Sequence, residues 1–433
     1  MKTITYQAAD RVEETVSAFL MMVLEYGHET GLYGLLASKL KVAMKEVKYS
    51  RVNKAQTVIA WLVMGCGHTK AINETLASER AAASYLGLER IPNQSQIKRY
   101  LTRLSEANVK QLGDVHLDML VGQSRARPAV GWLAVDIDQC GLVANGQTDE
   151  FKRKGYFPRK RGEEGYQLSA AYLGAYAEAV QVYLDAGNVP CSQRLADLLH
   201  DTDFVLTADS PGLKVIYRLD AGYDTPTNRQ LLLNRSGYFL LKAHDTRLAR
   251  KLAQQVPLQD WIPVDDLVHG TELEPLDGYR RLLYEFYLPD GDLEYFLMYT
   301  NLPADAFGIQ PWFTFYNERQ TIEAFFGQSR HVYNIQNLRS PKFHAIYAFL
   351  RFVFLTHNLL HWTKLAHFTG TELAQATTRT LVQHVARLRA RWSWTGIFNL
   401  FIAPSTRWAA LLLEALQPRP IQLQLPFARL HKT

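Results

Sequence analysis

Apolar residues recur at helical spacing through the first part of the chain. The stretches VEETVSAFLMMVLEYG at 12–27 and AQTVIAWLVMG at 55–65 place apolar side chains three and four positions apart. This period covers one face of an α-helix. We therefore predict a helical region at 1–125, and we interpret it as DNA-binding because of the basic helix described below.

Near residue 126 the apolar period changes from that of helices to that of strands. The predicted elements are strand 131–143, strand 164–176, strand 178–188, helix 191–204, strand 213–224, helix 225–236 and strand 237–244. This order matches an RNase H-like core, in which a mixed sheet carries helices on both faces. We therefore predict an α/β fold whose RNase H-like core has its first part at 126–243.

A strand-rich segment follows where the next core helix is expected. QDWIPVDDLV, YRRLLYEFYLP and GDLEYFLMYTNLP have the composition of a strand meander. We interpret 244–312 as a β-rich insertion into the core. The core then resumes at 313–365 with the candidate catalytic helix and the helix after it, and 366–433 is predicted to be a C-terminal helical region.

Composition and charge narrow the class of protein. Hydrophobic residues make up 47% of the 433 residues and charged residues 21%, which is ordinary for a globular chain. The net charge of +6 favours polyanionic partners. The three cysteines form no CxxC pair, which argues against a disulfide framework or a cysteine zinc site. Neither a signal-peptide layout nor a long apolar run is evident, so we expect a cytoplasmic protein without a membrane partner.

Candidate catalytic acids occur on the predicted strands. Asp136 and Asp138 in AVDIDQ are two positions apart, so both side chains lie on one face of their strand. Two buried carboxylates repel each other, and a metal ion would relieve that cost. Asp220 follows the strand VIYRL and precedes a glycine turn. In this order of elements the Asp138 and Asp220 strands are neighbours, so the two carboxylates can face one gap.

A third acid lies in the segment YNERQTIEAFFGQSR. We predict one helix there, because Tyr316, Arg319 and Arg330 lie at offsets of −7, −4 and +7 from Glu323 and so share a narrow stripe. A carboxylate among arginines and a tyrosine suits phosphate oxygens together with a divalent metal ion. The all-oxygen ligand set favours Mg²⁺ or Mn²⁺, and two such ions can assist phosphodiester chemistry.

These acids together resemble the catalytic set of a known family. The DDE transposases of cut-and-paste bacterial insertion sequences, in the group with a β-rich insertion before the glutamate, have the signature Tyr-x2-Arg-x3-Glu-x6-Lys. The matching positions here are Asp138, Asp220 and the string Tyr316-x2-Arg319-x3-Glu323-x6-Arg330. The resemblance covers roughly residues 85–365.

Two positions depart from the pattern of that family. Arg330 replaces the final lysine, and Gln139-Cys140 follow the first acid where x-Thr is common. The distance to Asn145-Gly146-Gln147 still favours Asp138 over Asp136 as the first acid.

The resemblance also implies a mechanism and partners. Asp138, Asp220 and Glu323 would hold two Mg²⁺ or Mn²⁺ ions, with Asp136 a less favoured ligand. Tyr316, Arg319 and Arg330 would bind the terminal phosphates. The substrates would be the double-stranded terminal inverted repeats and the target DNA. They would be held by a homodimer in a synaptic complex near the bacterial nucleoid, with a hairpin intermediate before target joining.

Two basic segments are further candidates for DNA contact. Pro92 breaks the chain and Asn93 or Ser95 can cap a following helix, which resembles a recognition helix bearing Lys98 and Arg99. A second basic segment, FKRKGYFPRKRG, interleaves two aromatic residues among its cations, which suits a nucleic-acid backbone. The cations of this second segment are Lys152, Arg153, Lys154, Arg159, Lys160 and Arg161.

Two other functions are compatible with this pattern. One is a metal-dependent nuclease of the same fold that cuts DNA without joining it. The other is an inactive or domesticated DNA-binding protein, although the intact set of three acids argues against it.

Overall fold

The N-terminal part of the chain is mostly helical, as its apolar spacing predicts. The computed structural model describes residues 4–7, 13–46, 48–157, 162–206, 212–289, 291–306, 308–338, 340–394 and 398–416. Its first elements are β1 Ile4–Gln7, β2 Glu13–Thr15, α1 Ala18–Glu29, α2 Leu32–Lys39, α3 Arg51–Val63, α4 Arg80–Tyr85, α5 Gln94–Thr102 and α6 Glu106–Gln123. Asn93 caps α5 through a reciprocal capping box with Gln96, which confirms the predicted helix start.

The predicted order of three strands, helix, strand, helix and strand is confirmed. Those elements, with the short strand β4 added, are β3 Gly131–Val143, β4 Arg153–Lys154, β5 Glu164–Leu173, β6 Glu178–Ala186, α7 Leu195–Leu206, β7 Leu213–Leu219, α8 Pro226–Leu233 and β8 Tyr238–Lys242. Strand β3 pairs antiparallel with β5 and parallel with β7, and β8 continues the sheet parallel to β7. Because β3, β7 and β8 run parallel, their carboxyl ends lie at the same edge of the sheet.

The strands of the predicted insertion extend the same sheet. The segment consists of α9 Thr246–Ala253, β9 Ile262–Pro263, β10 Val268–Leu276, β11 Tyr279–Tyr287 and β12 Leu293–Thr300. Strand β12 pairs antiparallel with β8, so the insertion continues the core sheet in the order β8-β12-β11-β10-β9. The helix α9 was not predicted. Asp245 begins it by accepting hydrogen bonds from the amides of Arg247 and Leu248.

The C-terminal part contains both helices and strands. Its elements are α10 Ile309–Asn317, α11 Gln320–Tyr333, α12 Phe343–Phe368, α13 Thr378–Thr380, β13 Ala390–Trp394, β14 Phe398–Phe401 and α14 Arg407–Leu416. The prediction of helix throughout 366–433 is therefore wrong at β13 and β14. The prediction of helix throughout 1–125 is likewise wrong at β1 and β2. These four strands form one sheet in the order β1-β14-β13-β2, a pairing between distant segments that local periodicity does not reveal.

The long helix α12 packs in the interior between α3, α6 and strand β6. By length and hydropathy it would pass as a membrane span, but 83% of its most apolar window is buried inside the protein. The Asn358 side-chain amide donates to the Ala179 carbonyl at 2.8 Å and accepts from the Ala179 amide at 2.9 Å. This bidentate contact fixes α12 against β6, one of the strands beside the central strands.

A buried ion pair joins the two central strands. Arg218 on β7 donates from Nε to Oδ1 of Asp136 on β3 at 2.6 Å, and from Nη2 to Oδ2 at 3.0 Å. Both side chains are almost completely buried. Arg218 also donates to the Phe315 carbonyl and to Glu318 at the end of α10. One guanidinium therefore connects β3, β7 and the segment that leads into α11.

Replacing Arg218 with methionine should destabilise the protein strongly. The change leaves the Asp136 carboxylate buried without its cation, which costs about 3–5 kcal/mol in comparable buried pairs. Equilibrium urea unfolding measures the loss. Lys48→Met, which removes the exposed Lys48–Glu89 pair, is the control and should leave the unfolding midpoint unchanged. Equal effects of the two substitutions would contradict the role assigned to Arg218.

Candidate active site

The first two candidate acids lie side by side at the edge of the sheet. The parallel register pairs Ile137 of β3 with Leu219 of β7, and the next residue on each strand is Asp138 or Asp220. Burial raises the pKa of the Asp138 carboxyl, the Arg319 charge lowers it, and the Asp220 charge raises it further. Asp138 and Asp220 are thus close enough to influence each other, as the order of elements predicts.

Asp136 faces the same side as Asp138 but lies deeper. Besides its two bonds from Arg218, its Oδ2 accepts a hydrogen bond from the Thr321 hydroxyl at 2.6 Å. Thr321 lies near the start of α11, and it approaches the backbone of Gly174 so closely that a Cβ there would lie 2.4 Å from its Oγ1. Asp136 therefore binds α11 to the sheet, with both carboxylate oxygens engaged.

The segment around the candidate glutamate is two helices rather than the single predicted helix. Helix α10 ends at Asn317 and α11 begins at Gln320. The junction is closed by i→i−3 bonds, such as that from the Arg319 amide to the Tyr316 carbonyl at 3.0 Å, which tighten the chain relative to an α-helix. The prediction of one helix is wrong at this junction. The Phe315 carbonyl, which the Arg319 amide would bond in a continuous α-helix, accepts from Arg218 instead, and the Arg319 amide bonds Tyr316.

Arg319 at this junction bridges two of the three acids. Its Nη1 donates to Asp138 Oδ2 at 2.9 Å, and its Nη2 donates to Glu323 Oε1 at 2.8 Å. The Asp138 side chain is 18% exposed and that of Glu323 is 55% exposed. A strand carboxylate and a helix carboxylate therefore converge on one positive charge at the edge of the sheet.

The donor set at this point suits a hard divalent cation. Asp138 and Glu323 already share a cationic partner, and all the candidate ligands are carboxylate oxygens, which Mg²⁺ and Mn²⁺ prefer. Among the described residues, no group of three His, Cys, Asp or Glu side chains is close enough to hold a metal ion as the side chains stand. The guanidinium of Arg319 supplies the positive charge between these carboxylates.

Tyr316 and Arg330 lie on either side of this centre. The Tyr316 ring is buried, and its hydroxyl lies 3.5 Å from the Leu219 carbonyl, next to Asp220. Burial and then the Asp220 charge raise the pKa of Tyr316, so the phenol stays protonated at neutral pH. Burial raises the pKa of Cys140 to about 12 while the Arg330 charge opposes the shift. Arg330 thus lies against β3 beside Cys140, which is two residues beyond Asp138.

The two predicted basic segments have different surroundings. Lys98 and Arg99 are exposed on α5. Arg153 and Lys154 are exposed on β4, whereas Lys152 pairs with Glu164 at 3.0 Å. Arg159, Lys160 and Arg161 lie outside the described residues.

The two aromatic residues of the second basic segment differ in exposure. Tyr156 is exposed, but Phe157 is buried against Gly141, where a Cβ would contact its ring. Phe157 is thus a core residue and cannot stack on nucleic acid.

Arg218 and Thr321 are the site residues that sequence reasoning missed. Arg218 had a visible signal, because it is a charged residue within the apolar strand VIYRL. Its partner becomes evident only from the register that places Asp136 opposite Arg218. Thr321 carries no comparable signal, since a threonine near a helix start is common.

Comparison with known proteins identifies the family. No curated protein sequence matches the chain. A solved structure titled as the synaptic complex of piggyBac transposase with hairpin DNA is similar at a TM-score of 0.49 and 12% identity, covering 87% of this chain and 82% of that one. The family model described as Transposase DDE domain group 1 matches residues 15–395. This match spans most of the 433 residues, and so the chain belongs to the DDE transposase family.

Proposed function

We propose that this protein cleaves DNA at the ends of a bacterial insertion sequence and joins the freed 3′-hydroxyl to target DNA. The observation that carries the proposal is the convergence of Asp138 and Glu323 on one cation, with Asp220 beside them. Membership of the DDE transposase family supports the same reaction class. The central mixed sheet is, in this proposal, an RNase H-like core.

We infer that Asp138, Asp220 and Glu323 hold two Mg²⁺ or Mn²⁺ ions. Asp138 is preferred to Asp136 because Asp136 is completely buried and held by Arg218 and Thr321, whereas the Asp138 side chain is 18% exposed at the edge of the sheet. Bound ions would supply Lewis-acid activation of the attacking hydroxyl and stabilisation of the leaving oxygen. The Glu323 side chain is 55% exposed, so it has room to change rotamer once its bond to Arg319 is released.

The cations and the phenol around the acids would position the scissile phosphate. Arg319 can exchange its carboxylate partners for phosphate oxygens, because a guanidinium binds either anion through paired N–H groups. The protonated Tyr316 hydroxyl can donate to a phosphate oxygen. Arg330 supplies a further positive charge beside β3.

Further DNA contacts would come from the exposed cations. Lys98 and Arg99 on α5, with Arg153 and Lys154 on β4, are available to the phosphate backbone. We propose a homodimer that pairs two terminal inverted repeats, and a hairpin intermediate before target joining. Support for the hairpin comes from the position of the strand-rich insertion directly before α10, as in the transposases that the sequence resembles.

Glu323→Gln should abolish cleavage while leaving DNA-end binding largely intact. The substitution removes a carboxylate ligand but retains the size of the side chain. Cleavage of labelled duplexes and a mobility-shift assay measure the two properties. Glu414→Gln, the same change at an exposed glutamate on α14, is the control and should retain both activities. Near-normal cleavage by Glu323→Gln would refute the assignment of this residue.

Divalent metal should be required for cleavage and should stabilise the fold. Removing metal with EDTA is expected to stop cleavage, and Mg²⁺ or Mn²⁺ should restore it. A ligand at 100 times its dissociation constant stabilises the native state by about 2.7 kcal/mol. Mg²⁺ should therefore raise the melting temperature of the wild type but not that of Asp138→Asn. Full cleavage in EDTA would exclude metal-dependent chemistry.

A strand-transfer assay separates a transposase from a nuclease of the same fold. The substrate is a duplex that carries the terminal inverted repeat bounding the gene, with plasmid DNA as target. We expect cleaved ends and covalently joined products, because the same site can activate water and then the freed 3′-hydroxyl. Cleaved ends without any joined product, at protein and metal concentrations that give complete cutting, would favour the nuclease.

A further inference from the structure

An open groove lined by positive charge separates α5 from the segment that enters α3. It has a volume of about 410 Å³. One wall carries Arg99 and Arg103, and the opposite wall carries Lys45, Lys48 and Lys54. No acidic side chain lines this part of the described structure. We call this feature the α5 groove.

The charge within the α5 groove is poorly balanced by protein groups. Lys48 pairs with Glu89 at 3.0 Å. Lys54 is only 6% exposed, and its Nζ donates to the Tyr49 carbonyl at 2.9 Å. Among the described residues no carboxylate forms a salt bridge with Lys45, Lys54, Arg99 or Arg103.

An anion in the α5 groove would stabilise the buried charge of Lys54. Burial lowers the pKa of Lys54, Glu46 opposes that shift, and the charges of Arg103 and Arg99 lower the pKa further. An unpaired buried cation beside two other cations raises the free energy of the folded protein. An anion in the groove would contact both walls and offset that repulsion.

The positions of the polar side chains around α5 fit one wall of a groove better than a protruding recognition helix. Gln96, Arg99 and Arg103 lie at i, i+3 and i+7, so they share the face toward the groove. Lys98 instead lines a small cavity on another side of α5, with Asn337 and Phe349. The two cations predicted for a recognition helix, Lys98 and Arg99, therefore face different surfaces. Cations on both walls suit a strand of phosphates lying between them better than base edges read from one protruding helix.

We propose that the α5 groove binds the sugar-phosphate backbone of duplex DNA without reading its base sequence. This inference rests on the proposed function only in taking DNA as the substrate. The groove then contributes affinity to any duplex, whereas discrimination of the terminal repeat comes from other parts of the protein. Its cations act in binding, and cleavage remains the task of the acids at the sheet edge.

The test is a double substitution of the exposed arginines. Arg99→Gln with Arg103→Gln removes two charges from the groove and leaves the Lys54 side chain in place. Arg80→Gln with Lys110→Gln removes two exposed charges from α4 and α6, outside the groove, and is the control. Fluorescence anisotropy in full-length protein follows binding to a terminal-repeat duplex and to a scrambled duplex over a salt series. Thermal melting verifies that each variant is folded.

Backbone binding predicts a specific set of results. The groove variant should bind both duplexes about tenfold or more weakly, by a similar factor for each. The slope of log K against log salt should fall by about 2, since each phosphate contact contributes about 0.9. The control variant should match the wild type on both duplexes.

Other results would overturn the proposal in distinguishable ways. Wild-type affinity in the groove variant would show that the α5 groove does not contact DNA, while the proposed function would stand. A loss confined to the terminal-repeat duplex would show base reading by α5 instead of backbone binding. Failure of the wild-type protein to bind either duplex would overturn the proposed function and this inference together. Binding of both duplexes without cleavage of the terminal repeat in Mg²⁺ would overturn the proposed function alone.

Discussion

The ion pair between Asp136 and Arg218 fixes the relative positions of the groups on which the site depends. It joins β3 to β7, the strands that lead to Asp138 and Asp220. Through the Phe315 carbonyl and Glu318 it also holds the junction from which Arg319 reaches the acids. Because a buried ion pair tolerates little displacement, three chain segments distant in sequence meet in one geometry. An apolar pair could pack the same strands, but it would not hold the end of α10.

Much of the fold and the position of the acids could be predicted from local pattern. Strand period, turn residues and capping signals gave the order of the core elements, and that order placed Asp138 beside Asp220. Whether these acids bind metal stays a prediction. The break between α10 and α11 could not be predicted from local pattern, because the chain there is bonded by Arg218, which is 100 residues away from Glu318 in sequence. For the same reason, local pattern could not show that Arg218 binds Asp136 and not the otherwise similar Asp138.

Positive charge is used in three physical settings. Arg218 is buried and fully paired, so it acts on structure. Arg319 is mostly buried but bridges carboxylates at the sheet edge, so its partners can be exchanged for an incoming anion. Lys54 is buried without a carboxylate partner, beside arginines that are exposed. The net charge of +6 conceals this division, which follows from the surroundings of each cation rather than from its sequence neighbours.

The small sheet that includes β1 and β14 has a consequence for the order of events during synthesis. Ile4 pairs with Phe398, so β1 must wait until β14 has been synthesised. At a translation rate of about 5–20 residues per second, that delay is roughly 20–80 s. Throughout this time the edge of β1 lacks its parallel partner. The helices that carry the α5 groove can fold early, but the sheet that joins β1 and β2 to the C-terminal strands is completed only late in translation.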